Sequence, residues 1–294
     1  MFRRETRRDK CFLAVVYLLL SLAGLITLYP FYYVFCVSIS EPVAFFSQGV
    51  TFWPRGISIT SYKAIFMGTD IWRVLGNTLI ITVTGTALAL ALTSMGGYVL
   101  SRTRLVFKRF FTFLVLIPMY FSGGMIPSYL LINWLGLMGT YWAVILSGAL
   151  GTYYLILSRS YFVSLPKEIE ESAWLDGAND FIIFARIMLP LAKPIMAVLL
   201  LYYAVGFWNV YFNAILYLPD SKMQPIQVYL ASIIINNESV KSIGMLTPEA
   251  REQASISNQL KYSLIIVGIT PIILVYPLIQ KHLVKGMMLG SLKG

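Results

Sequence analysis

The chain has 294 residues, of which 58% are hydrophobic and only 12% are charged. A soluble domain carries about a quarter charged residues, so the composition excludes a chain that faces water over most of its surface. The net charge of +10 does not indicate nucleic-acid binding, because the basic residues form short clusters between apolar runs, as topogenic charges do.

Six apolar runs follow one another along the chain, and a helical membrane crossing needs roughly 20 apolar residues. We therefore predict an all-α, polytopic membrane protein with six transmembrane helices, forming a single transmembrane domain over residues 1–294. The first run is too long for the apolar region of a signal peptide and lacks a cleavage site, so we expect an uncleaved anchor. The predicted crossings are residues 11–38, 76–100, 110–132, 141–157, 194–218 and 260–279.

The third run contains Pro118, Gly123, Gly124 and Pro127. Such a helix must bend or break, and the backbone groups that this frees need partners inside the protein and not in lipid. The sequence leaves two interpretations open, an irregularity of packing and a role in gating.

The basic residues indicate the orientation of the chain in the membrane. Most of the 23 lysines and arginines lie in the tail 1–10, in the connections after the second and fourth crossings, and in the C-terminal tail. Short loops rich in lysine and arginine stay on the inner side. We therefore predict a multi-pass protein of the bacterial cytoplasmic (inner) membrane with both termini in the cytoplasm.

The connection 160–193, after the fourth crossing, carries the most informative pattern. Pro166 opens a short helix whose first turns contain acids, which the helix dipole favours there. Ala173 and Gly177 are four residues apart and are expected to share a face that another surface can approach closely. Asn179 is a candidate cap for a second helix. The residues alone leave an ordinary interfacial helix as an equal alternative.

This connection resembles the "EAA" loop of ABC importer permeases, which reads Glu-Ala-Ala, three residues, Gly, nine residues and Ile-x-Leu-Pro. Every spacing matches, and the one departure is a serine in place of the first alanine. In that family the loop contains the coupling helix, which docks into a cleft on the ATPase subunit. The matching residues are Glu171, Ser172, Ala173, Gly177, Ile187, Leu189 and Pro190.

The resemblance implies that the helix transmits ATPase closure to the membrane, with Glu171 at the contact and Gly177 permitting the turn. It also implies a second, homologous permease subunit, two ATPase subunits that bind ATP and Mg, and an extracytoplasmic solute-binding protein. This chain has no Gly-x-x-x-x-Gly-Lys loop, and we expect no catalytic, cofactor or metal site in it. The implied ATPase-coupling residues are Glu168, Glu170, Glu171, Ser172, Ala173, Asp176, Gly177 and Ala178.

Further segments resemble the maltose-type oligosaccharide permeases, in particular a branch that imports fragments of complex polysaccharides. The resemblance implies an oligosaccharide as cargo, and the single best expectation is an acidic one of the alginate type. It also implies that the tail 290–294 reaches towards the ATPase interface. The similar segments are residues 29–30, 77–78, 97–98, 109–110, 123–127, 208–213, 259–262 and 285–294.

The fifth crossing contains the candidate substrate pathway. An asparagine inside a crossing is costly in lipid and should face a cavity or the bundle interior, and aromatic and amide groups suit sugars. Tyr202, Gly206, Asn209 and Asn213 lie at helical spacing and could form one polar stripe. The alternative is an interhelical hydrogen bond beside an interfacial aromatic belt. The candidate pathway residues are Trp208, Asn209, Tyr211 and Asn213.

Two other classes of protein compete with the importer permease, a stand-alone secondary sugar carrier and a polytopic membrane enzyme. No ionisable residue lies in the central parts of the six runs, which argues against an ion-coupled carrier, and no polar catalytic cluster supports an enzyme. The segment 219–258 is too polar to cross and is expected to lie outside, where Glu249, Arg251 and Glu252 are candidate contacts for a binding protein.

Overall fold

The computed structural model of the protein describes residues 7–48, 52–241 and 248–291. Within these ranges every regular element is a helix, which confirms the predicted all-α class. The helices are α1 (Arg7–Ser38), α2 (Pro42–Gln48), α3 (Thr60–Met67), α4 (Thr69–Ser101), α5 (Lys108–Tyr120), α6 (Met125–Trp134), α7 (Tyr141–Gly148), α8 (Thr152–Ser164), α9 (Lys167–Leu175), α10 (Asp180–Leu191), α11 (Lys193–Trp208), α12 (Phe212–Tyr217), α13 (Ile226–Lys241) and α14 (Pro248–Ser291).

Among the described residues, three helices are long and apolar enough to cross a membrane by themselves. They contain the spans Arg8–Ser38, Asp70–Ser101 and Ser255–Val275. Three pairs of shorter helices qualify when each pair is taken together: α5 with α6, α7 with α8, and α10 with α11. The bends between their members are 116°, 50° and 82°, respectively. The number of spans is therefore up to six, as predicted, if each bent pair contributes one crossing. In the third pair α11 is the helix that lies in the predicted crossing 194–218, whereas α10 lies in the connection 160–193.

The third predicted crossing breaks at its glycines. Helix α5 ends at Tyr120 and α6 begins at Met125. Gly124 between them has a φ of +83°, a backbone conformation that a side chain disfavours. The break that the sequence predicts is thus confirmed.

The fifth predicted crossing, 194–218, is not one continuous helix. Helix α11 ends at Trp208, and α12 begins only at Phe212. At the break the Asn209 amide donates to the Val205 carbonyl oxygen at 2.9 Å, a side-chain bond that competes with regular helix geometry. The expectation of one polar stripe running on to Asn213 at helical spacing is therefore wrong.

The described residues form two compact units. One runs up to Thr69 and includes Leu230–Ile269; the other contains Asp70–Tyr229 and the residues from Thr270 onward. In the second unit the core is built mainly by α4, α7, α8, α10 and α11. Its fully buried side chains include Ile81, Ile183 and Leu199. This second unit contains all of the candidate ATPase-coupling and pathway residues.

A buried amide organises the first unit. The side chain of Gln259 in α14 is fully buried. Its Oε1 accepts a hydrogen bond from the Ser61 hydroxyl at 2.5 Å, and its Nε2 donates to the carbonyl oxygens of Val37 and Ser40. A buried amide whose donors and acceptor are all used holds its neighbours in a specific arrangement. Gln259 therefore joins α14 to α3 and to the end of α1.

Candidate functional site

Helices α9 and α10 form a helix–turn–helix, called here the helix pair. Helix α9 begins at Lys167, directly after Pro166. At its end the Gly177 amide donates to the Trp174 carbonyl oxygen at 3.0 Å, and the Ala178 amide donates to the Ala173 carbonyl oxygen at 3.1 Å. These two bonds, with a φ of +80° at Gly177, define a Schellman motif. The turn is therefore set by backbone geometry at one glycine.

The second helix of the pair begins with a side-chain cap. The Oδ1 atom of Asn179 accepts a hydrogen bond from the Ile182 amide at 2.8 Å, which confirms the predicted cap. Helix α10 then contains a π-helical segment, Ile183–Met188, of the kind that is often found at functional sites. Both ends of the turn are thus fixed by local hydrogen bonds.

The acids of α9 do not all face the same way. Glu168 and Glu171 are exposed, whereas Glu170 is half-buried and forms an ion pair with Arg102. The Ser172 hydroxyl donates to the Glu168 carbonyl oxygen at 2.8 Å. Since this hydroxyl is satisfied within its own helix, serine can replace alanine here without leaving a polar group unpaired.

Ala173 and Gly177 have different surroundings. Ala173 is buried in the core of the second unit, whereas Gly177 is exposed and no atom lies within 4 Å of the position that its Cβ would take. The expectation that both form one approachable face is therefore wrong. Ala173 provides close packing, and Gly177 provides the turn. Asp176 is exposed beside the turn, and Ala178 is half-buried.

Arg102 is a residue of this site that the sequence interpretation counted only as a topogenic charge. It lies just beyond the end of α4, and its guanidinium pairs with both Glu170 and Asp180, the latter at 2.7 Å. One signal in the sequence could have indicated this pairing. The basic connection after the second crossing and the acidic connection after the fourth are predicted on the same side of the membrane. A cavity of about 180 Å³ between α4, α8 and the helix pair is lined by Arg102, Arg104, Lys108, Arg159, Lys167, Glu170 and Glu171, among other residues.

The opposite end of α4 is held by another polar cluster. The Asn77 amide donates to the carbonyl oxygens of Lys222 and Gln224 at 2.8 and 3.1 Å. The Tyr141 hydroxyl donates to Asn77 Oδ1 at 2.8 Å. Because Asn77 is buried, these bonds attach the 222–224 segment firmly to α4 and α7.

The four candidate pathway residues lie in different environments. Trp208 is only 7% exposed, whereas Tyr211 is 40% exposed. The Asn209 Oδ1 accepts from the Gln227 amide at 3.0 Å, and the Asn213 amide donates to a hydroxyl in α7, that of Ser147, at 3.1 Å. Tyr211 and Asn209 are therefore exposed, and both asparagines have polar partners. Trp208 is buried and packs inside the protein.

Asn213 lies at a cavity formed by α6, α7 and α12. The cavity has a volume of about 360 Å³. Its lining is apolar apart from a few small polar groups, among them Ser128, Ser147 and Asn213. Sequence reasoning missed Ser147, the partner of Asn213, and Ser128, which lines the same cavity, because nothing in their local pattern relates them to α12.

The last residues of the tail 290–294, namely 292–294, lie outside the described residues, as do the side chains of Glu249, Arg251 and Glu252.

Comparison with known proteins assigns the family. Residues 2–289 match the family described as "Binding-protein-dependent transport system inner membrane component". The chain is 39% identical, over 98% of its length and 100% of the relative, to the polygalacturonan/rhamnogalacturonan transport system permease protein YtcP of Bacillus subtilis (strain 168). It is 37% identical, over 99% of its length and 97% of the relative, to protein LplC of the same strain.

A solved structure is similar over almost the whole fold. It is that of a bacterial ABC transporter involved in the import of the acidic polysaccharide alginate. The TM-score is 0.85 at 32% sequence identity, covering 95% of this chain and 99% of that chain.

These similarities and the helical architecture define a membrane permease of the ABC-importer type, a transport component that is not an enzyme. The chain belongs to the binding-protein-dependent transport system inner membrane components, within the carbohydrate-uptake permeases of that family.

Proposed function

We propose that this permease imports acidic oligosaccharides, fragments of polymers rich in uronic acids, and that its helix pair docks on an ATPase subunit. In this proposal the chain works with a second, homologous permease, two ATPase subunits that bind ATP and Mg, and a solute-binding protein. Both termini and the helix pair lie in the cytoplasm.

The observation that carries the docking proposal is an exposed apolar surface on the helix pair. Leu175 is 88% exposed and Phe181 is 66% exposed, beside the exposed acids Glu168 and Glu171. On the positive-inside rule this region lies in water and not in lipid. Exposed apolar groups with charged neighbours are typical of a protein-binding surface, and the resemblance to the EAA loop supports an ATPase subunit as the partner.

Replacing Leu175 with Ser tests the docking. We expect weaker binding of ATPase subunits to the purified permease, because the variant removes apolar area without altering the turn. Val106→Ser is the matched control, since Val106 is 69% exposed but lies in the connection after α4, outside the helix pair. Equal affinities of the Leu175→Ser variant and the unmodified chain would contradict docking through this surface.

The cargo proposal is supported by two similarities that agree in chemistry. The permease YtcP is named for polygalacturonan and rhamnogalacturonan, and the transporter of the similar structure imports alginate. These polymers contain acidic sugars, although they differ in the uronic acid. An acidic oligosaccharide is therefore the cargo class that both support, and alginate and pectin fragments are its two members to be compared.

In this proposal Asn209, Tyr211 and Asn213 contact the passing sugar. The asparagines provide amide donors and acceptors for hydroxyl groups, and Tyr211 provides an aromatic face for a sugar ring. Replacing Asn213 with Leu should slow uptake, because it removes the amide at the 360 Å³ cavity, while ATPase binding stays unchanged. Unchanged uptake by this variant would remove Asn213 from the pathway.

The cargo is tested with the complete transporter in proteoliposomes. An alginate trisaccharide, a galacturonate trisaccharide or neutral maltotriose is added with the binding protein. ATP hydrolysis and sugar uptake are then measured. We expect at least one acidic trisaccharide to stimulate hydrolysis and to be imported, with little effect of the neutral one. Stimulation by maltotriose alone would refute the acidic cargo, and uptake driven by an ion gradient without ATP would favour the secondary carrier.

A further inference from the structure

Arg102 links a membrane helix to both arms of the helix pair. Its guanidinium pairs with Glu170 in α9 and, at 2.7 Å, with Asp180 in the first turn of α10. Its side chain is only 12% exposed. The Glu170 side chain is 28% exposed, whereas that of Asp180 is 71% exposed. Partly buried charges are screened less by salt than surface charges, and breaking their pairing leaves a poorly solvated charge. The Arg102–Glu170 pair therefore resists separation more than an ordinary surface ion pair does, and the Arg102–Asp180 pair adds a contact that is open to water.

Aromatic contacts strengthen the same connection. The guanidinium of Arg102 lies over the ring of Tyr98 in α4, 4.9 Å from its centroid. The Tyr98 ring packs against Phe184 in α10 and Phe162 in α8, with centroids 5.1 and 5.6 Å apart. Tyr98 and Arg102 are four residues apart and so share one side of the end of α4. Charge and packing thus join α4 to the helix pair at adjacent points.

The backbone that carries Arg102 is itself held in place. The Lys108 Nζ donates to the carbonyl oxygens of Ser101 and Arg102 at 3.0 and 2.9 Å. The Arg159 Nε donates to the Leu100 carbonyl oxygen at 3.2 Å. These bonds satisfy the last carbonyl groups of α4, which otherwise lack partners within the helix. The end of α4 is therefore a rigid support for the Arg102 side chain.

Helix α4 extends from this support to the far end of the same unit. It contains 33 residues, a length of about 50 Å at 1.5 Å per residue. Between its ends, the hydroxyls of Thr93 and Tyr203 are bonded at 2.6 Å, and towards its other end Asn77 binds the 222–224 segment. A displacement delivered to one end of such a helix reaches contacts at the other end.

We propose that Arg102 is the positioning residue that makes the helix pair and α4 move as one body during the transport cycle. The inference rests on the proposed docking of the helix pair on an ATPase subunit. Arg102 does not contact the ATPase in this proposal. It ties the docked helices to α4, so that ATPase closure shifts the membrane helix as well as the helix pair.

The experiment compares Arg102→Gln with the unmodified chain in the complete transporter, reconstituted in lipid nanodiscs. Two quantities are measured: the affinity of the permease for its ATPase subunits, and the ratio of hydrolysis with sugar-loaded binding protein to hydrolysis without it. We expect the affinity to be retained and the stimulation to fall by about 5-fold to 150-fold, the range of typical coupling between sites. Arg109→Gln is the control, because it removes the same charge from an exposed position beyond the contact.

Two further variants separate positioning from a contribution to folding. Arg102→Lys retains the charge but lacks the planar fork that can bind two carboxylates and stack on a ring, so its stimulation should be intermediate. The double variant Arg102→Glu with Glu170→Arg exchanges the two charges of the pair. It should recover part of the stimulation that Arg102→Glu alone loses. If Arg102→Gln does not accumulate in the membrane, Glu170→Gln is used, since it retains the bond from Arg102 to Asp180.

Each outcome has a distinct meaning. Full stimulation in Arg102→Gln overturns the positioning role, and so does a loss of ATPase affinity that matches the loss of stimulation. Absence of ATPase binding by the unmodified chain through the helix pair refutes the proposed function itself, and the affinity measurement detects this separately.

Discussion

Gly177 provides the sharpest test of the helix pair, because its requirement is conformational. Its φ is +80°, and no atom lies within 4 Å of the position of an added Cβ. A side chain at this position therefore meets no obstacle within the chain but must adopt a left-handed backbone. That conformation costs about 1–2 kcal/mol for an ordinary L-residue and less for asparagine, which adopts it more readily.

The expected size of the effect follows from this cost. If the ATPase binds only the turn with its left-handed glycine, a penalty of 1–2 kcal/mol reduces the binding-competent fraction by a factor of about 5–30. We expect the apparent Kd for ATPase subunits to rise by that factor in Gly177→Ala and further in Gly177→Val. Gly177→Asn should remain close to the unmodified chain.

Titration of the purified permease with ATPase subunits measures these affinities. Gly76→Ala is the control, because Gly76 also has open space around its missing Cβ but lies within helix α4, where alanine is favourable. Equal weakening by Gly177→Asn and Gly177→Val would show that bulk at the docking surface, and not backbone conformation, decides. Unchanged affinity in Gly177→Val would refute docking through this turn.

Three further expectations concern packing and topology. Gly97→Val should lower the midpoint of thermal unfolding in detergent, because its Cβ would lie about 3.0 Å from the Arg159 amide nitrogen and overpacking costs about 1–3 kcal/mol; an unchanged midpoint would contradict the close approach of α4 and α8. Asn77→Ala should speed hydrogen exchange in residues 222–226, since the carbonyl groups of Lys222 and Gln224 lose their donor, at about 0.5–1.5 kcal/mol for each bond; unchanged exchange would mean that the segment is held by other contacts. With both native cysteines replaced, a cysteine at Leu175 should react with an impermeant maleimide only in inside-out vesicles and one at Ile57 only in right-side-out vesicles; both positions are more than 80% exposed, and the reverse pattern would refute the predicted orientation.

Some features could be predicted because they depend on neighbouring residues. The apolar runs follow from the length of chain that a bilayer requires, and the break at Gly124 from the backbone freedom of glycine. The cap at Asn179 likewise follows from a short-range hydrogen bond. The EAA pattern is also local, since its residues lie within one helix–turn–helix. The sequence therefore sufficed for the helical class, the number of apolar segments and the position of the turn.

Other features follow from contacts between distant parts of the chain. Hydropathy predicts one crossing over 194–218, but the structure interrupts it after Trp208, where the Asn209 side chain binds backbone within α11 and also Gln227. The pattern around Asn213 likewise does not indicate that its partner is Ser147. Such pairings depend on how helices pack, and periodicity within one helix cannot specify them.

The helix pair shows both kinds of information in one place. The local pattern is enough to place Glu170 in an acidic first turn and to predict a turn at Gly177. Which acids face inward depends on packing: Glu170 pairs with Arg102, while Glu168 and Glu171 remain exposed. The charge of a side chain is known from its own residue, whereas its partner depends on which helix end is packed beside it.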